Sequence, residues 1–150
     1  MKPIAILFFL LLCAPCRASE ALSPFTGLAA LRESYPANTL LVLMFSQPDC
    51  PYCDTVRSDF LLPLHNRQRD ELIVRELKVG MGGEVVDQNG NSVSHKTLAD
   101  RYGVSLFPSV LMLDLDGDVL DKPLVGISST EFYGYYLDQA IDRALVDASQ

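Results

Sequence analysis

The chain has 150 residues, 49% of them apolar, with 12 Lys and Arg set against 19 Asp and Glu. A net charge of −7 repels phosphate backbones and anionic membrane surfaces, so nucleic-acid and membrane-surface binding are disfavoured from the start. Four cysteines are too few for a small secreted scaffold held together by disulfides.

The first 18 residues read as a leader and not as fold. Lys2 is followed by the apolar run Ile4–Ala14, then by Pro15 and small residues. That is the pattern of a secretory signal peptide. The run is well short of the roughly 20 residues needed to span a bilayer. Cleavage is expected after Ala18, with Ala21 as the other acceptable position. Cys13 follows leucines and Cys16 follows Pro15, so neither fits a lipid-modified cysteine. Loss of Lys2 and Arg17 takes the net charge to −9 and leaves Cys50 and Cys53 as the mature cysteines. Residues 19–150 suffice for one domain with a real core and are too few for two.

Ser23-Pro24 reads as a helix start, with Leu28, Ala29 and Leu31 as its apolar stripe. Pro36-Ala-Asn38 breaks that helix. Leu40–Phe45 is a continuous apolar run, expected to be a strand buried on both faces. Cys50 to about Leu62 reads as a helix that Pro63 ends or bends. Leu72–Val79 is a second strand. Loop residues Gly80–Gly83 and Asp87–Asn91 enclose a short hairpin around Val85-Val86. A short helix covers 95–102. Ser109–Leu113 and Asp118–Leu120 are strands joined by the hairpin signal Asp114-Leu-Asp-Gly117. Ser128-Ser-Thr-Glu131 has the form of a capping box. It opens a last helix with the stripe Phe132, Tyr136, Leu137, Ala140, Ile141, Ala144 and Leu145. This order predicts an α/β fold with a mixed central sheet covered by helices on both faces.

The chemistry is expected at Cys50-Pro51-Tyr52-Cys53, after a buried strand and at a helix start. There, unpaired N–H groups and the helix dipole favour a thiolate at Cys50, while Cys53 lies deeper and suits a resolving role. A zinc site needs four ligands, and the mature chain offers only His65 and His95 besides the pair. Asp54 follows Cys53 where haem attachment requires His. A purely structural disulfide closing so small a ring would remove little chain entropy.

Phe45-Ser-Gln-Pro-Asp-Cys-Pro-Tyr-Cys53, the segment Leu98–Gly117 with Phe107-Pro108 inside it, and Val125-Gly126 together resemble the thioredoxin superfamily. The nearest pattern is that of exported bacterial thioredoxin-like proteins of the SoxW type. The resemblance covers residues 38 to 146. It implies a thioredoxin-like fold, with Cys50 attacking and Cys53 resolving. It also implies a cis Pro108 facing the disulfide, and Phe107, Pro51 and Tyr52 contacting an extended substrate segment. Pro108 has no N–H to compete with such a segment, whereas Phe107 can pair with it by strand addition. Two departures stand out. Asp49 replaces the aromatic residue before the first cysteine. Met44 occupies the place of the buried carboxylate that assists the resolving thiol in thioredoxin. Glu76, on the next strand, is a candidate replacement, but strand alternation makes it solvent-facing.

Asp87-x-Asn89-x-Asn91 and Asp114-x-Asp116-x-Asp118 lack the Gly and Glu that a calcium loop requires at positions six and twelve, so they are turns. His65 and His95 are expected on the surface, Tyr133, Tyr135 and Tyr136 in the helix surface and core, and Lys122-Pro123 beside the substrate groove. The expected function is an exported, periplasmic reductase of protein disulfides. It needs no metal and no organic cofactor, is re-reduced by a membrane thiol-electron donor, and is monomeric. Isomerase or oxidase activity remains the alternative, as does a Cu(I) module built on Cys50 and Cys53 with His65 or His95. Asp49 and Asp54 tune the site: anions beside a thiolate disfavour it and make the couple more reducing.

Overall fold

Strand β1 (Leu40–Ser46) is buried at all seven positions, as its unbroken apolar run requires. The computed structural model describes residues 19–148; the leader expected over 1–18 lies outside them. β1 pairs in parallel with β2 (Leu72–Lys78), from Leu40 opposite Leu72 to Ser46 opposite Lys78. It pairs antiparallel with β5 (Ser109–Leu113), Leu41 facing Leu113 and Phe45 facing Ser109. β6 (Leu124–Val125) closes the sheet in the order β2-β1-β5-β6. A separate hairpin joins β3 (Glu84–Val86) to β4 (Ser92–Ser94).

Alternation along the strands divides the core in two. Leu40, Val42 and Met44 meet Val110, Met112 and both cysteines on one face. Leu41, Leu43 and Phe45 meet Leu28, Leu98 and Leu111 on the other. The first face is covered by the helical crossover and by α5 (Thr130–Ala148); the second holds α1 (Leu28–Ser34) and α4 (His95–Arg101). The mixed α/β sheet covered on both faces is therefore the thioredoxin-like architecture expected.

Five local expectations need correction. Ser23-Pro24 does not start a helix: Phe25 N–H and Glu76 N–H exchange bonds with Glu76 C=O and Ser23 C=O, so the segment runs as a short edge beside β2. Of the two outcomes expected at Pro63, an end or a bend, the end is not seen. The crossover runs as α2 (Pro51–Thr55), a π-helical turn (Val56–Leu61) and α3 (Leu62–Asn66). The wider turn seats the proline ring in the first turn of α3, where its missing N–H costs little. Val119 makes one bridge to Leu113, and the regular partner of β5 is Leu124–Val125. α5 begins at Thr130, not at the Ser128 box. Its buried stripe runs through Tyr133, Leu137, Ala140, Ile141 and Ala144, leaving Phe132 and Tyr136 exposed.

The α5 register can be checked by stability. Tyr133 is 5% exposed and stacks on Phe60 at 4.9 Å, whereas Phe132 is 57% exposed. Tyr133→Ala is expected to lower the unfolding free energy by about 3–5 kcal/mol in urea titrations, and Phe132→Ala by less than about 1 kcal/mol. The Tyr133 hydroxyl is buried with no hydrogen-bond partner among the described residues. Tyr133→Phe should therefore keep or raise stability, since it removes a desolvated polar group.

Candidate functional site

β1 ends at Ser46, and the chain turns through Gln47-Pro48-Asp49 into the helix. Asp49 takes φ 53, a left-handed conformation that Asp and Asn tolerate better than most residues, and this swings Cys50 onto the helix start. Cys50 is the N-cap of α2, Pro51 follows it in the first turn, and Cys53 lies one turn in. The two cysteines form a disulfide. Cys53 N–H donates to Cys50 Sγ at 3.2 Å, so a helix-start amide points at the outer sulfur. Cys50 is 7% exposed and Cys53 is fully enclosed, the asymmetry that an attacking and a resolving thiol require.

The antiparallel register sets Ser109 opposite Phe45, which brings the segment before β5 to the same end of the sheet as the cysteines. Here the Phe107–Pro108 peptide bond is cis. Pro108 is buried and its C=O accepts from Gly126 N–H at 2.7 Å. Phe107 is half-buried and packs against both core clusters. Around this end the rim is apolar and open: Tyr52 is 65% exposed, Leu106 63% and Val125 56%. Leu106 and Val125 share a small cleft with Pro123, and Lys122 is not among the residues that line it. In the sequence Leu106 and Val125 enter only as part of the resemblance, and nothing marks them as exposed, because an exposed apolar side chain cannot be told from a core one without the fold.

Glu76 overturns its expected place. It is 5% exposed, opposite Met44 in the β1–β2 register, on the face that carries the cysteines. Ser46 Oγ donates to its Oε1 at 2.5 Å, Arg57 Nε to its Oε2 at 3.0 Å, and Arg57 Nη2 to its Oε1 at 2.6 Å. Alternation misplaced it because β2 is covered on both faces here. Burial pushes its carboxyl up, but the donors from Arg57 and Ser46 outweigh burial and hold it below the ordinary carboxylate value. Arg57 stands one turn beyond Cys53, and its Nη1 also donates to Asp54 at 2.5 Å. Arg57 therefore bridges Glu76 and Asp54, one of the two carboxylates expected to tune the site; one cation between two anions leaves this cluster a net negative charge, and Asp49 stands exposed next to Cys50. The sign and spacing of Arg57 hinted at this pairing. Its second partner, Glu76, lies 19 residues away in sequence and could not be paired from it.

The two histidines, expected on the surface, are both half-buried. His95 Nδ1 lies 2.8 Å from Lys78 C=O, and His65 lines a cleft beside Arg75, so neither joins the cysteines. Among the described residues there is no group of three or more His, Cys, Asp or Glu placed to hold a metal ion. Asp87 is buried in its turn, accepting from Asn89 and Asn91 N–H and from Arg101, and Asp114 caps Asp118 N–H.

A family model described as a thioredoxin-like domain matches residues 29–141. Three solved structures share the fold. Thioredoxin O2 from Arabidopsis thaliana in the oxidized state is 15% identical, with a TM-score of 0.54, and the match covers 82% of this chain and 93% of that one. Mitochondrial thioredoxin 3 from Saccharomyces cerevisiae, oxidized form, is 16% identical, with a TM-score of 0.52 and coverage of 81% and 93%. Fasciola hepatica thioredoxin is 18% identical, with a TM-score of 0.53 and coverage of 82% and 99%. At these identities the likeness is one of fold. No curated protein matches the chain.

The Arg57–Glu76 pair has a testable pH signature. A carboxyl held low in the fold contributes stability above its unfolded value of about 4.3, and this is lost as pH falls through the folded value. Arg57→Met leaves Glu76 buried without its cation, at an expected cost of about 3 kcal/mol at pH 7. With burial then opposed only by the Ser46 hydroxyl and the charge of Lys78, the carboxyl of the variant moves up and its stability falls as pH rises through about 4.3. Urea unfolding of the two proteins should therefore differ most at neutral pH and converge only once the pH has fallen through the lowered folded value of Glu76.

Proposed function

The chain belongs to the thioredoxin-like domain family, and on that footing we propose that it is an exported thiol–disulfide oxidoreductase working as a reductase of protein disulfides. The observation that carries this reading is the Cys50–Cys53 disulfide at a helix start, its outer sulfur receiving the Cys53 amide. In the reduced protein the Cys50 thiolate attacks one sulfur of a client disulfide, forming a mixed disulfide and releasing the other client sulfur as thiolate. The Cys53 thiolate then attacks Cys50 Sγ, which expels the second client thiolate and restores the Cys50–Cys53 bond. Two electrons pass to the client. A membrane dithiol donor returns them, and no metal or organic cofactor takes part. Pro51, Tyr52, Phe107 and Pro108 form the client surface, the open rim of Tyr52, Leu106 and Val125 supplying apolar contact.

We read export from the leader pattern of residues 1–18, and the bacterial periplasm and SoxW-type kinship from the motifs around Cys50 and Pro108. Cleavage after Ala18 keeps Ser19, whose N–H donates to Asn66 Oδ1 and whose C=O accepts from Asn66 Nδ2; cleavage after Ala21 would discard both bonds. No helix among the described residues is long and apolar enough to cross a membrane. A mature charge of −9 favours a monomer, which light scattering at micromolar concentration tests directly: a stable dimer would reopen the isomerase reading.

The poise separates reductase from oxidant. Asp49 beside Cys50 disfavours a thiolate, and Arg57 is already engaged by two carboxylates. The couple is expected nearer the thioredoxin end, roughly −270 mV, than the DsbA end at about −120 mV. Equilibration with glutathione followed by alkylation measures it, and a value above about −180 mV overturns the reductase assignment. Asp49→Asn keeps a residue that tolerates the left-handed backbone and removes only the charge. It should lower the Cys50 pKa and make the couple more oxidising, whereas Asp54→Asn, at a carboxylate already paired with Arg57, should shift it less. Cys53→Ser should accumulate a client mixed disulfide at Cys50 and abolish insulin reduction.

A further inference from the structure

At the opposite end of β1 and β2 from the disulfide, a cleft of about 440 Å³ opens along the outer edge of β2. Its lining is mostly apolar, with Leu64, Leu72, Ile73 and Tyr35 set beside the polar Gln68, Arg69 and Asp70, a size and character suited to a small organic molecule. Into it projects Arg75. Arg75 Nη1 donates to Val74 C=O at 2.8 Å, Nη2 donates to Tyr35 Oη at 2.7 Å, and the guanidinium lies over the Tyr35 ring at 5.5 Å. In a strongly acidic protein this half-buried guanidinium forms no ion pair with a carboxylate among the described residues, while Arg32, Arg57, Arg69, Lys96, Arg101 and Arg143 all do. Its remaining N–H donors are held in one orientation by the bonds it already makes. His65 lines the same cleft, where burial together with the charge of Arg75 pushes its pKa down, and the exposed Asp70, which forms no ion pair with Arg75, lines it as well.

The geometry points to a binding site for a small carboxylic acid with an apolar body, its carboxylate on the Arg75 guanidinium and its body against Leu64, Leu72 and Ile73. Ion pairing to a preoriented guanidinium in an apolar surround is the arrangement that favours such a carboxylate over its neutral analogue. Addition of a peptide strand to this edge is opposed by the structure itself. Glu76 N–H and C=O already serve Ser23 and Phe25, and the carbonyl of Val74, on the same outward side, is capped by Arg75.

The test is titration of the oxidised full-length mature protein with 3-phenylpropionate, followed by amide and His-ring NMR shifts. Saturable shifts are expected at Leu72–Arg75, His65 and Tyr35 and not at Cys50 or Phe107, and 3-phenylpropionamide should bind at least tenfold more weakly. Arg75→Met should weaken the acid tenfold or more while leaving insulin reduction and the potential unchanged. Arg75→Lys, which keeps the charge but loses the fork, should fall between the two, and thermal unfolding of each variant confirms that it is folded. Equal binding of acid and amide, shifts confined to the disulfide end, or no saturable shift would each overturn the site. Tighter binding of N-acetyl-Gly-Phe than of 3-phenylpropionate would overturn the small-acid assignment in favour of a peptide C-terminus. None of these readouts depends on whether the protein is a reductase.

Discussion

A carboxylate removed from water has to be matched by donors, and Glu76 is the point at which the fold meets that requirement. Its side chain takes hydrogen bonds from Ser46 at the end of β1 and from Arg57 in the helical crossover, and its main chain pairs with Ser23 and Phe25. One residue thus ties the central strand, its parallel neighbour, the redox helix and the N-terminal segment together. The arrangement depends on charge pairing: leaving either partner alone in the interior exposes the other to the full desolvation cost. Arg57 extends the same network to Asp54, directly after Cys53, so the packing of β2 and the electrostatics of the disulfide are not independent.

The sheet also separates two kinds of chemistry by its ends. At one end, β1 running into α2 and β5 emerging from the cis Phe107–Pro108 bond converge on the cysteines. The residues that rim this end, Tyr52, Leu106 and Val125, are exposed and apolar. At the other end, the β2 edge carries a half-buried arginine in an apolar cleft. Both ends lie on a sheet whose central strands are enclosed on both faces, which is why the geometry at each can be held rigidly.

Much of this was legible from local pattern. Six consecutive apolar residues at 40–45 marked a strand enclosed on both faces, and that is how it folds. Cys50 before a proline and a helical run placed the disulfide at a helix start. The pairing of Pro108 with this motif came from resemblance, since a proline before a strand has a common ordinary explanation. The misreadings share one cause. Ser23-Pro24, Pro63 and the Ser128 box are local helix signals, and each yielded to a tertiary demand: a backbone edge at Glu76, a π turn that accommodates a ring, and the register that buries Tyr133.

The sequence by itself determined the element types, the redox pair and the order in which strands and helices alternate, because these depend on side-chain periodicity and on groups a few residues apart. Only the tertiary structure decided which face Glu76 occupies, that Arg57 reaches it there, and where Arg75 stands without an ion pair. Those outcomes join residues tens of positions apart through a sheet register and a crossover. A charge declares its partners only when burial has removed the water that would otherwise serve in their place.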